Sequence, residues 1–171
     1  YVSGSIDRVA LGTGETTPLY REFEGDHLCG PNDIVFDETG GFWFTDLGKQ
    51  RPREIDKGAV YYAQPDGSSI QRCIDNIDHP NGCGLSPDGN TLYVAQTTTG
   101  RLWAYDLEGP GALKSRRGRC IANTLGSLDS LAVEEDGTVV VAALPDGLLV
   151  VRPDESHEYV SIDGPLTTNI A

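Results

Sequence analysis

Apolar and polar positions alternate along this chain in short runs, and the runs come in pairs joined by turns. Ser5-Ile6-Asp7-Arg8-Val9-Ala10-Leu11 ends in Gly12-Thr13-Gly14, and Ile34-Val35-Phe36 is followed by Asp37-Glu38-Thr39-Gly40-Gly41 and then Phe42-Trp43-Phe44. A period of two is what a half-buried β-strand requires, because successive side chains point to opposite faces. The acidic and glycine residues between the runs supply the backbone conformations of tight turns. No segment sustains a helical period, and 21 Gly with 10 Pro leave little room for one. The reading is all-β.

The pattern also repeats at long range. Residues 30–46, 79–95 and 128–142 share one order: a polar Asn32, Asn81 or Asp129 at the mouth of an apolar run, a turn, and a second apolar run. Pairs of further runs follow each copy, at residues 59–63 with 69–74, 101–106 with 119–122, and 148–151 with 157–162. Another pair, residues 5–11 and 17–23, precedes the first copy. Asn32 lies 49 residues before Asn81, Asn81 lies 48 before Asp129, and Asn169, opening what reads as a fourth copy, lies 40 further on. Four short strands every 40–50 residues mark a β-propeller blade, and an immunoglobulin-like sandwich would not repeat its sequence in this way. At that period 171 residues make about three and a half blades, fewer than the roughly four to eight that close a ring. The expectation is one domain over residues 1–171, an arc of a larger propeller lacking blades at both ends.

Charge narrows the partners. Thirteen Lys and Arg against 26 Asp and Glu leave a net charge of −13, which disfavours nucleic acid or an anionic membrane surface. The basic patch Lys114-Ser115-Arg116-Arg117-Gly118-Arg119 reads as a solvated loop between strands. Cys29, Cys73, Cys83 and Cys120 form no CxxC pair, so free thiols in a reducing, cytoplasmic setting are expected, with disulfides left open and the periplasm as the alternative if an export signal lies upstream. No apolar run approaches the roughly 20 residues of a membrane-spanning helix.

The innermost strand of each blade lines the central channel, so residues at equivalent mouths converge although sequence separates them. Asn32, Asn81 and Asp129 would then present two amide oxygens and a carboxylate, a hard-oxygen set for Ca²⁺, Mg²⁺ or Mn²⁺. Pro31 and Pro80 fix the backbone just before two of them. Pro-Asn-Gly is also ordinary turn chemistry; the register across three repeats is what favours a site. Asp66, Asp88, Asp136, Asp146 and Asp154 read as turn residues. Trp43, Tyr62, Tyr93, Trp103 and Tyr105 read as blade filling, and His27, His79 and His157, out of register, as loop residues. The charged insert at residues 47–57 either arches over the channel, offering Lys49, Arg51 or Arg53 to an anionic or polyhydroxy ligand, or remains a solvated loop. There is no GxSxG and no phosphate-binding Gly loop.

The motifs Gly30-Pro31-Asn32-Asp33, Phe42-Trp43-Phe44-Thr45-Asp46, Gly58-Ala59-Val60-Tyr61-Tyr62, Pro80-Asn81-Gly82, Leu85-Ser86-Pro87-Asp88-Gly89 and Asp129-Ser130-Leu131, in this order over nearly the whole chain, resemble the gluconolactonase, senescence-marker-protein and luciferin-regenerating family of six-bladed propellers. The resemblance implies a metal-dependent hydrolase of sugar lactones and related cyclic esters. It implies one divalent cation, Ca²⁺ first, with Mg²⁺, Mn²⁺ and Zn²⁺ as alternatives. Its ligands would be a Glu lying upstream of these residues, Asn81 from the Pro-Asn-Gly motif, and Asp129; the mechanism expected from such a site is Lewis-acid hydrolysis with Asp129 as general base. Asn32 matches an Asn that contacts metal, its water or substrate, and with Arg51 it is expected to bind substrate. Gly30 stands where some relatives have an Arg, and Leu128-Asp129-Ser130 replaces a Pro-Asp-Gly. The rival readings are a non-catalytic ligand- or protein-binding propeller, and another enzyme on the same scaffold, such as a paraoxonase-like esterase or a strictosidine-synthase-like condensing enzyme.

Overall fold

The computed structural model describes residues 3–145, 147–163 and 166–170. Among the described residues there is no helix; seventeen strands form the whole of the regular structure. A two-stranded hairpin of β1 (Ile6–Val9) and β2 (Thr16–Tyr20) opens the chain, followed by the short pair β3 (Glu22–Phe23) and β4 (Asp26–His27).

Three antiparallel sheets follow, the first and third of four strands in sequence order and the second of five. The first blade is β5 (Pro31–Phe36), β6 (Phe42–Asp46), β7 (Gly58–Ala63) and β8 (Ile70–Ile77). The second runs β9 (Pro80–Leu85), β10 (Thr91–Gln96) and β11 (Arg101–Gly109), then past the two-residue β12 (Ala112–Leu113) to β13 (Arg119–Asn123), which pairs with β11. The third is β14 (Ser127–Val133), β15 (Val139–Leu144), β16 (Gly147–Val151) and β17 (His157–Ser161). These are the blades of a β-propeller, and the hairpin ahead of them corresponds to the outer pair of a further blade. The segment expected to begin a fourth inner strand, at residues 166–170, has no strand geometry; Ser130 N–H donates to Thr168 O at 3.4 Å, so it runs beside β14. Asp146, which sequence placed in a turn, and Pro165 and Ala171 lie outside the described residues.

Strict alternation holds at the edges and fails in the middle, for a physical reason. β6 and β7 are buried along their whole length, because a middle strand has another blade on each face and both sets of side chains are covered. Each blade-to-blade layer is apolar. Phe42, Phe44 and Tyr61 pack under Tyr20 of the leading hairpin and Leu28, which follows β4. Trp43, Val60 and Tyr62 pack on Leu92, Val94 and Tyr105 between the first two blades, and Leu102 and Ile121 on Leu131, Val139 and Leu149 between the second and third. Full burial of one such side chain contributes about 1.5–3 kcal/mol, so each layer is a substantial clamp.

The turns carry their own fixings. In Asp37, Asp66, Asp88, Asp136 and Asp154 a carboxylate oxygen accepts the backbone N–H two residues on, at 2.8 to 3.1 Å. That is the turn role read from sequence.

Glycine sets the spacing of the inner strands. A Cβ on Gly82 would lie 2.6 Å from Asp129 O and 2.8 Å from Leu131 N, and one on Gly84 would meet the Leu131 side chain at 2.6 Å. β9 therefore lies directly against β14 only because these two positions lack side chains. That contact brings Asn81 beside Asp129.

Candidate functional site

All three inner strands carry a β-bulge at the same place. Opposite one residue of the neighbouring strand, two are fitted between Pro31 and Ile34, between Pro80 and Cys83, and between Leu128 and Leu131. Asn32, Asn81 and Asp129 each occupy the first bulged position. A bulge breaks the ladder and re-aims a side chain, which is why bulges gather at sites. The equivalence counted in sequence is thus an equivalence in backbone geometry.

Hydrogen bonds tie the bulges into one network. The fully buried Thr45 accepts Asp33 N–H at 3.1 Å and donates through its hydroxyl to Asn81 O at 2.6 Å. Asp33 accepts the N–H of Cys83 at 3.1 Å and of its neighbour Ile34 at 2.9 Å, stapling β5 to β9. Asn81 donates to Thr97 Oγ1 at 3.0 Å, and Thr97 N–H returns to His79 O at 3.1 Å. Asp46, at the end of β6, accepts the N–H groups of Cys29, Gly30 and Gly48 and fixes the approach to β5.

Asn81 is 6% exposed, and its amide also hydrogen-bonds the Asp129 carboxylate. Its Oδ1 has no partner. Among the described residues the buried side-chain polar atoms without a hydrogen bond are Asn81 Oδ1 and His79 Nε2, two residues apart at the mouth of β9. An unsatisfied buried acceptor costs about 1–3 kcal/mol, so such an atom calls for a ligand.

The electrostatics point the same way. Burial pushes the Asp129 carboxyl above the ordinary range, against hydrogen bonds from Asn81 and the Ser130 N–H, and the Asp33 charge adds to the rise. Burial also raises Asp33, against its two backbone hydrogen bonds. Neither acid is in an ion pair among those of the described residues. Two acids, an orphaned amide oxygen and no counter-charge are what a hard cation would satisfy. The residues fit a divalent cation, although no three His, Cys, Asp or Glu cluster at metal-ligating distance among the described residues.

The other candidates fall differently. Asn32 is exposed at its bulge. The insert is a folded hairpin, with Gln50 bridged to Ile55 and Arg51 N–H bonded to Glu54 O. Arg51 is held by Asp56 through two contacts, 2.6 and 3.1 Å, so its guanidinium is already engaged. Asn169 Oδ1 accepts the Ser130 hydroxyl at 2.9 Å. His79, read as a loop residue, is 4% exposed, with a left-handed backbone (φ 39°). Thr45, Thr97 and Asp33 went unnoticed in sequence; the signal available was that Asp33 follows Asn32 and Thr45 precedes Asp46 within the first repeat.

Comparison with known proteins bears on the family and the fold. The profile of the SMP-30/Gluconolactonase/LRE-like region matches residues 2–171. Lactonase drp35 of Staphylococcus haemolyticus is 36% identical over 123 residues, covering 70% of this chain and 37% of that protein. The same-named protein of Staphylococcus aureus strain USA300 is 34% identical over the same length and shares. Among solved structures, a gluconolactonase from Xanthomonas campestris superposes with a TM-score of 0.81 at 30% identity, over 98% of this chain and 58% of its own. Regucalcin of Agrobacterium tumefaciens, described as calcium-binding, has a TM-score of 0.79 at 23% identity over 95% of this chain and 56% of its own, a likeness of fold. The chain thus spans little more than a third of these curated lactonases and somewhat over half of these solved structures. On the profile match and the lactonase likeness, the chain belongs to the SMP-30/gluconolactonase/LRE-like family.

Proposed function

We propose that this chain carries the cation-binding wall of a divalent-metal-dependent hydrolase of sugar lactones or related cyclic esters. The observation that carries the reading is the partnerless Asn81 Oδ1, buried beside Asp129 where two inner-strand bulges meet. Asn81 and Asp129 would hold the cation, with Asn32 offering a third oxygen from the neighbouring bulge. Ca²⁺ suits the all-oxygen donors, with Mg²⁺, Mn²⁺ and Zn²⁺ as alternatives. Such a cation supplies Lewis-acid polarisation of the lactone carbonyl and charge stabilisation of the oxyanion.

The chain's own residues then have distinct tasks. Asp129 takes the proton of the attacking water as the oxygen–carbon bond forms, and returns it to the ring oxygen as the lactone C–O bond breaks. The Asn81 amide, locked between Thr97 and Asp129, orients that carboxylate. Asn32 directs a substrate hydroxyl or carbonyl. Arg51 can reach an anionic group only by leaving Asp56, which gives it a secondary role in substrate binding. Ile34 and Phe36, apolar and exposed on inner strand β5, support the reading of residues 1–171 as an arc of a closed ring. The free thiols support a reducing compartment, the cytoplasm. Among the described residues no helix is long and apolar enough to cross a membrane.

Hydrolysis of δ-lactones, followed by acid release, tests the proposal in one titration. Activity should vanish on chelation, return with Ca²⁺, and be absent in Asp129→Ala. Turnover unaffected by chelation, or full activity in that variant, would overturn it. A panel of aryl esters run alongside distinguishes an esterase, and cation binding without any turnover indicates a binding platform.

A further inference from the structure

A second cleft, lined by none of the three bulged residues Asn32, Asn81 and Asp129, lies between the first two blades. It holds about 510 Å³ between the end of β8 on one side and β11, β13 and the loop joining β12 to β13 on the other. Arg101, Arg116 and Arg117 line one wall. In a chain of net charge −13, three guanidinium groups facing one cavity are out of keeping with their surroundings. None of the three forms an ion pair among those of the described residues. The acids across the cleft are already engaged, Asp75 with Arg72 at 3.8 Å and Asp78 with Lys57.

The basic wall is held in place. A Cβ on Gly118 would stand 2.6 Å from Tyr105 Cε1, so the loop lies flat on that ring, and Ser115 Oγ accepts Arg117 N–H at 3.0 Å. The Arg116 charge acts on the Cys73 thiol, pulling it down against the burial that raises it to about 11. Between the walls lie Ile74, Ile77, Tyr105 and the partly exposed indole of Trp103, whose Nε1 donates to Gln96 Oε1 at 2.7 Å.

Unpaired arginines present forked donors that match the oxygens of a phosphate group, whereas an apolar floor asks for an uncharged body. We propose that this cleft binds a small phosphate ester with an apolar body, at a site separate from the cation site. The loop read from sequence as merely solvated would be its anion clamp. Every residue involved belongs to the first two blades, both complete in this chain, so the proposal stands or falls independently of lactone hydrolysis.

Tryptophan fluorescence reads the cleft selectively, because Trp43 is fully buried and Trp103 lines it. Phenyl phosphate is the probe, with inorganic phosphate and benzoate beside it, and calorimetry provides a second readout. The expected result is saturable quenching by phenyl phosphate, several-fold tighter than inorganic phosphate or benzoate. Affinity should fall about tenfold or more in R116A/R117A, since the forked charge-assisted donors are removed. Arg53→Ala should leave binding unchanged, and Trp103→Phe should remove the optical signal while calorimetric binding persists. No saturable binding, equal binding in a folded R116A/R117A, or benzoate binding as tightly as phenyl phosphate would each overturn the proposal.

Discussion

Replacing Gly82 by Ala adds one methyl group to the inner strand of the second blade, at the point where it meets the third. The new Cβ would lie 2.6 Å from Asp129 O, 2.8 Å from Leu131 N and 2.9 Å from Ser130 C, all backbone atoms of β14. Ordinary van der Waals contact begins near 3.4 Å, so β9 and β14 must separate by several tenths of an ångström. No rotamer change relieves a clash with backbone. Overpacking of this kind costs about 1–3 kcal/mol, and contact with three backbone atoms of one strand puts Gly82→Ala near 3. The same displacement pulls Asn81 from Asp129, and misplacing the groups that orient metal ligands lowers cation affinity by about 10–100-fold. Urea unfolding read by circular dichroism gives the first quantity, and a Ca²⁺ titration of the folded variant gives the second. A variant within about 0.5 kcal/mol of wild type that binds Ca²⁺ equally well would refute the argument that Gly82 sets the distance between the inner strands.

Thr97→Val keeps the shape of the side chain but removes the acceptor for Asn81 Nδ2; it should cost about 1 kcal/mol of stability and weaken Ca²⁺ binding by about tenfold, both readable in the same two assays. With a thiol reagent at pH 8, exposed Cys120 should react first, while Cys73, raised to about 11, and the more strongly raised Cys83 react only on unfolding; fast modification of all four in the native protein would contradict the buried assignments. Hydrogen bonds from Ser86 and Asn90 hold the Asp88 carboxyl at about 2, below its ordinary 3.8. Its contribution to stability is therefore complete above pH 3.8 and is lost as pH falls through about 2. Asp88→Asn should flatten that acid limb of the stability curve, and an NMR titration of the Asp88 carboxyl should give a midpoint near 2.

Strand pairing and blade count were legible because both depend on local chemistry repeated along the chain. The Asx turns at Asp66, Asp88, Asp136 and Asp154 mark the hairpins, and the near-constant spacing of Asn32, Asn81 and Asp129 marks the period. The bulges that make these three equivalent were not legible, since a bulge is a mismatch between two strands and shows only in their register. His79 lies in the loop between β8 and β9, as read, but nothing in its sequence neighbourhood signalled that it would be buried. Arg51 looked available because the alternating charges of its insert gave no sign of which acid would take it; the small hairpin between Gln50 and Ile55 settles that in favour of Asp56. The basic loop at residues 114–119 read as solvent-exposed, and it is exposed, but sequence could not show that it forms one wall of a cleft with Trp103.

The central claim is that Asn81 and Asp129 together form a cation site that governs lactone hydrolysis. Its most direct test is a calorimetric Ca²⁺ titration of the wild-type protein against Asp129→Asn, which keeps the shape of the side chain and removes its charge, with lactone turnover measured on the same samples. The account predicts one site in the wild type, an affinity loss of about 100-fold in the variant, and loss of turnover in parallel. Ca²⁺ affinity and turnover both within about twofold of wild type would contradict it.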